Sequence, residues 1–255
     1  MVEWLLAGAT GLAVLAGVTG LQAVRHGRRS RWTLVLMALA FFCQLWVLGI
    51  RGAERGRCPL ADGGEVLVFL SWSLVLFYLV VGPAYRLSLL GLFTAPVVAV
   101  FQGLVLGLGM FEADPERVVE VDGWAEAHAA FSVLAYGAFA LAAVAALMFL
   151  VLNRKLKQHH PRGPLFRNLP PARSLLDSMA RLTLLGVLIL TAGVAMGFLM
   201  QQRGGSSGHI VMAMVTWLAY VVLLVVYRVR GVTPRRLSLA VVGLFAVSLL
   251  VFAFV

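Results

Sequence analysis

Eight runs of predominantly apolar residues occupy nearly the whole chain, and the charged residues are confined largely to the gaps between them. Each run is close to the roughly 20 residues that a helix needs to cross a bilayer. They lie near residues 4–24, 32–50, 65–85, 87–111, 124–152, 178–202, 209–227 and 237–255. The pattern predicts an all-α, polytopic integral membrane protein, with eight transmembrane helices forming a single transmembrane domain over residues 1–255. Composition agrees: 61% of residues are apolar, 13% are charged, and the mean hydropathy is +0.94. A soluble domain of 255 residues could not hide that much apolar surface.

The gaps alternate in charge. Arg25, Arg28, Arg29 and Arg31, then Arg86, then Arg154, Lys155, Lys157, Arg162, Arg167, Arg173 and Arg181, and finally Arg228, Arg230, Arg235 and Arg236 fall in every second gap, 16 of the 21 Lys and Arg residues. Ten of the 11 acidic residues lie in the other gaps or at the start, and only Asp177 shares the basic side. The positive-inside rule assigns the basic gaps to the cytoplasm, so both termini are expected on the external side of a cytoplasmic (inner) membrane crossed many times. The formal net charge of +10 then belongs to the cytoplasmic face, where anionic headgroups attract it; its partner is the lipid bilayer, and nucleic acid is a poor explanation. Arg51, Arg55, Arg57, Arg117 and Arg203 are the exceptions, on the external side. The first run follows an acidic Met1-Val2-Glu3-Trp4 start and lacks the basic leader of a signal peptide, so it reads as a retained helix.

Several chemistries lack their residues. Cys43 lies inside the second run and Cys58 in the first external loop, at different depths, and there is no CxxC, hence no thiol redox motif and no covalent heme attachment motif. No carboxylate or Lys sits well inside a run, which argues against an ion-coupled pump. Gln44, Ser71, Ser73, Tyr78, Thr94, Gln102, Tyr136, Thr191 and Thr216 are polar at depth and read as interhelical hydrogen-bonding groups. There is no Gly-rich phosphate loop, GxSxG or HExxH, and no nucleophile, base and orienter share one depth, so the chain is not expected to be an enzyme. The connection near residues 153–177 carries Pro161, Pro164, Pro170 and Pro171. These break helix, and the Pro-Pro pair suits the start of the next one. His26, His159 and His160 read as solvated surface.

Two histidines stand apart. His128 is near the outer mouth of the fifth run, four residues before Ser132 and eight before Tyr136, so the three share one helical stripe. His209 begins the seventh run after the Gln201-to-Gly208 loop, at the same depth and on the same side. The plainer reading makes each an interfacial helix-end residue. The sharper one makes them axial ligands of a heme held without covalent attachment, with Trp124 and Trp72 as walls and Arg51, Arg55, Arg57 and Arg203 as propionate partners. Each of these arginines also has a plainer role, pairing with Glu54, Asp62 or Glu65.

Four segments carry a family resemblance. Cys58-Pro59-Leu60, Glu65, Phe69-Leu70-Ser71-Trp72 and Tyr78 form the first, and His128, Ser132, Ala135 and Tyr136 the second. Leu169-Pro170-Pro171, Leu175-Leu176, Gly186 and Leu190-Thr191 with Gly193 form the third, and Thr216-Trp217, Tyr220, Gly231 and Arg235-Arg236 the fourth. In this order they resemble the cytochrome c assembly family of polytopic heme-handling proteins (CcsA and CcmC type), closest to its short eight-helix HemX-like and YpjD-like members. The resemblance implies that His128 is an external axial ligand of heme.

The chain departs from the larger members at the start of the seventh run and at two intramembrane positions. Ser206-Ser207-Gly208-His209-Ile210 stands where they carry a tryptophan-rich heme-binding loop, and Tyr78 and approximately Val225 stand where they place intramembrane histidines. We therefore expect His209 to supply the second ligand facing His128, with heme b as the cofactor and Trp124, Trp72, Tyr136, Arg57 and Arg203 around it. Three functions follow. The first is a heme-binding or heme-handling role in cytochrome c maturation beside other assembly proteins that supply the reductant and the CxxCH thiols. The second is a HemX-like regulatory or scaffold role in tetrapyrrole metabolism without bound heme. The third is a small-molecule permease, for which no broken-helix site is visible.

Overall fold

The computed structural model describes residues 1–26, 30–84, 89–111, 122–157, 172–201 and 207–249. Eight helices run through them: α1 (Val2–Arg25), α2 (Arg31–Arg55), α3 (Gly63–Ala84), α4 (Leu90–Gly107), α5 (Gly123–Lys157), α6 (Ala172–Gln201), α7 (Ser207–Arg230) and α8 (Pro234–Leu249). The first seven are each long and apolar enough to cross a membrane; α8 is described for 16 residues, to Leu249. No strand occurs among the described residues.

Helix ends overrun the apolar runs where the flanking residues are good helix formers. Helix α2 continues through Arg51 and Arg55, α5 through Arg154, and α6 begins six residues before its run, because hydropathy marks only the part inside the bilayer and Arg, Lys and Leu extend a helix readily. Helix α4 does the reverse and stops at Gly107. There Gly109 takes a left-handed φ of 57°, and the Met110 N–H bonds Val105 O at 3.0 Å and the Leu108 N–H bonds Leu104 O at 3.0 Å, which closes the helix in a Schellman turn.

Helix α5 is the centre of the bundle. It packs most extensively on α6 and also against α3, α8 and α4, and 83% of its most apolar window is buried, against 17% for α7. Its sequence suits that place, since Ala135, Ala138, Ala140, Ala142, Ala143, Ala145 and Ala146 are all buried and small residues let helix backbones approach where lipid gives no hydrophobic drive. Gly137 lies against Ser73 of α3, and Gly186 of α6 lies against the Phe139 ring; a Cβ at either position would collide. Helices α1, α2 and α4 form a second group that reaches α5 mainly through α3.

An ion cluster fastens the α2–α3 corner. Asp62 caps α3, its Oδ1 accepting the Glu65 N–H at 2.6 Å, while Glu65 Oε2 accepts the Ala61 N–H at 2.9 Å and the Asp62 N–H at 3.5 Å, a capping box. The second oxygen of each carboxylate takes the arginines of α2. Glu65 Oε1 accepts Arg51 Nε at 3.0 Å and Arg55 Nε at 2.6 Å, and Asp62 Oδ2 accepts Arg51 Nη2 at 2.8 Å and Arg55 Nη2 at 2.9 Å. Arg51 also reaches Glu54 at 3.3 Å and lies over the Phe111 ring. Arg51 and Arg55 thus make the pairing with Glu54, Asp62 and Glu65 that the sequence offered beside a propionate role. Glu65 is fully buried, so Glu65→Leu leaves two buried guanidiniums sharing one carboxylate less. That loss costs about 3–5 kcal/mol, and thermal unfolding in detergent is expected to show a clearly lowered Tm with the helical content at low temperature retained.

Candidate functional site

The stripe His128, Ser132 and Tyr136 on α5 faces the α6–α7 pair. His128 is 8% exposed, and its Nδ1 lies 2.8 Å from the Gly193 carbonyl oxygen of α6. A carbonyl only accepts, so Nδ1 carries a proton and donates, which leaves Nε2 as the nitrogen that can offer a lone pair. Gly193 and Gly197, one helical turn apart, form the trough that receives the ring. A Cβ at Gly197 would lie 2.8 Å from His128 Nδ1, and a Cβ at Gly193 would lie 3.1 Å from Ser132 Oγ. Ser132 Oγ is buried with no hydrogen-bond partner among the described residues.

Deeper along the stripe, Tyr136 donates a long 3.4 Å hydrogen bond to Thr216 Oγ1 of α7. The next turns are tied by Trp217 Nε1 donating to Thr191 Oγ1 at 2.8 Å and by the stacked rings of Phe139 and Tyr220, 3.7 Å between centroids. The start of α7 meets the same glycine, because Ile210 Cγ1 lies 3.2 Å from the position a Cβ would take on Gly197. His209 precedes Ile210 in the first turn of α7; its side chain, and all of Arg203, lie outside the described residues.

The remaining residues singled out from the sequence are placed separately. Trp124 is one turn before His128, half-buried, with its N–H on Asp122 Oδ1 at 3.1 Å. Trp72 stacks on Phe41 of α2 with centroids 5.3 Å apart and packs in the cluster of α1, α2, α3 and α4. Arg57 has a buried Nε without a hydrogen-bond partner among the described residues, and with Cys58, Ala125 and Glu126 it lines a cavity of about 140 Å³. Glu126, which the sequence reading passed over, accepts the Cys58 N–H at 2.9 Å and so ties the α2–α3 corner to the first turn of α5. Gly197 was passed over too, although its spacing from Gly193 is the small-xxx-small signal of close helix packing.

A family model described as cytochrome C assembly protein matches residues 62–255, which include α3 to α8 and the histidine seat. The chain belongs to the cytochrome c assembly protein family. Among curated proteins it is similar to "Cytochrome c biogenesis protein CcsA" of Nostoc punctiforme, 32% identical over 121 residues, and to the proteins of the same description from Trichormus variabilis, also 32%, and Crocosphaera subtropica, 31%. The aligned stretch is 46% of this chain in each case and 34%, 34% and 36% of the respective relatives, so it spans about a third of their length.

In this assembly-family member the Cys58 thiol is pushed up to about 11, first by burial and then by the Glu126 and Glu65 carboxylates. The thiolate is the nucleophile, so near neutral pH Cys58 is a poor one. Its alkylation by iodoacetamide at pH 8 is expected to run about a hundredfold slower than that of an ordinary thiol, with the rate still rising as the pH approaches 11. Glu126→Gln should shift that rise to lower pH.

Proposed function

We propose that this family member is a non-enzymatic heme-handling protein of cytochrome c maturation, holding a b-type heme at the external face of the cytoplasmic membrane with His128 as an axial ligand. The observation that carries this reading is the His128 Nδ1 hydrogen bond to Gly193 O. Metal-ligating histidines commonly donate the other ring N–H to a carbonyl, which fixes the tautomer and makes the ligating nitrogen more basic. Here that bond leaves Nε2 as the ligating nitrogen. The donor set fits heme iron in its chemistry, and the absence of a CxxC fits noncovalent binding.

His209 is the proposed second ligand, because Ile210 beside it packs on the same Gly197 as His128. Trp124 stands one turn outward on the stripe and Tyr136 two turns inward, where they would wall the porphyrin; Arg57 and Arg203 are the cations proposed for the propionates, and Trp72, stacked on Phe41, stands apart from them. Bound heme supplies an iron centre and its porphyrin, and the chain's part is to orient an imidazole toward it. The charge partition supports this side: Glu3, Glu54, Asp62, Glu65, Asp122 and Glu126 lie in the gaps opposite the basic ones, in keeping with an external seat and external termini. Partner assembly proteins would supply the reductant and the CxxCH thiols, since Cys58 is held protonated.

Hemin titration of the purified protein tests this. Wild type is expected to give a low-spin bis-histidine spectrum, with His128→Ala abolishing it and His209→Ala leaving a high-spin form. Gly197→Ala, which displaces the ring without removing it, should weaken hemin binding by about 10–100-fold. A wild type without the low-spin spectrum, or both histidine variants retaining it, overturns the assignment.

A further inference from the structure

At the end of α6 and α7 far from the histidine seat, two adjoining cavities form one groove. The inner cavity, about 340 Å³, is walled by Leu184 of α6 and Leu224 and Val225 of α7. The outer one, about 470 Å³, is lined by Asp177, Arg181, Arg228 and Gly231. Ala180, Arg181, Tyr227 and Arg228 line both, so the apolar part opens directly onto the charged part. Leu184 is 43% and Val225 53% exposed, so the groove faces what surrounds the bundle.

The two arginines stand at the same level by construction. Arg181 is the last charge on α6 before the apolar stretch that starts at Leu182, and Arg228 is the first charge on α7 after the apolar stretch that ends at Tyr227. In a spanning bundle that level is the boundary between acyl chains and headgroups. Among the described lining residues the charges are those of Asp177, Arg181 and Arg228, which makes a net positive mouth above an apolar slot. A free inorganic anion would fill the mouth and leave the slot empty, whereas a neutral lipid would fill the slot and meet no counter-charge.

We infer that this groove binds an anionic glycerophospholipid of the bilayer, with an acyl chain along Leu184, Leu224 and Val225 and the phosphate between Arg181 and Arg228. Basic pockets between transmembrane helices at headgroup level recognise acidic lipids in this way. The site needs only that α6 and α7 span the bilayer; it uses no residue of the heme seat, so hemin binding and lipid binding fail independently.

Native mass spectrometry of the protein equilibrated with equal amounts of phosphatidylglycerol and phosphatidylcholine reads the site out. Wild type should retain phosphatidylglycerol preferentially, by about fivefold for each arginine engaged. Arg181→Gln with Arg228→Gln should bring the ratio close to one, and Arg181→Lys with Arg228→Lys should keep most of the preference, because a lysine still meets a phosphate as a point charge. Val225→Trp, a substitution at an exposed position, should fill the slot and reduce retention of both lipids. Equal retention of the two lipids by wild type, an undiminished ratio in the Gln variant, undiminished retention in Val225→Trp, or displacement of phosphatidylglycerol by inorganic phosphate would each overturn the assignment.

Discussion

The rest of the bundle depends on taking α5 out of contact with lipid. A helix surrounded by other helices gains nothing from the hydrophobic effect in a membrane, where acyl chains are as apolar as leucine, so close packing must hold it. The chain meets that demand with an alanine-rich α5 and with glycines at the crossings: Gly137 under α3, and Gly186, Gly193 and Gly197 on the α6 side. Each omits a side chain at a point where two backbones or a backbone and a ring nearly touch. The same economy of volume that centres α5 also makes the trough for His128, so the candidate site is a product of the packing and not an addition to it.

The end of the bundle that carries the α2–α3 corner and the start of α5 is held by a chain of polar contacts. The capping box at Asp62 and Glu65 starts α3 and, with its spare oxygens, immobilises Arg51 and Arg55 at the end of α2. The loop that follows α2 is then tied to α5 through the Cys58 N–H and Glu126. Two residues after Glu126 comes His128. Buried charges of this kind are costly unless every partner is present, so the corner is rigid only as a complete set, and the first turn of α5 inherits that rigidity.

The parts of this architecture that were legible in the sequence are those written in a short repeat or a charge. Apolar runs gave the helices, and the stripe of His128, Ser132 and Tyr136 gave the face of α5 that meets α6 and α7. What sequence spacing could not supply was the identity of long-range partners. For Arg51 and Arg55 the sequence offers both a propionate and a carboxylate partner, because one-dimensional proximity cannot say whether Glu65 turns inward; the capping geometry supplies the carboxylates. Trp72 was placed beside the histidine by depth alone, yet it shares α3 with a face directed at α2, and Phe41 takes it. Gly193 O is a backbone atom, and no side-chain pattern announces it as an acceptor. His209 and Arg203 fall outside the residues whose side chains are described.

Because the partner of His128 is a main-chain carbonyl of α6, the direction of the imidazole is set by how two helices are registered and not by any single side chain opposite. A screw displacement of α6 by one residue moves that carbonyl about 1.5 Å along the axis and turns it about 100° away. The histidine therefore works as a gauge of helix alignment: a disturbance along the α5–α6 contact, even two turns away by Gly186, is converted into a change in where Nε2 points.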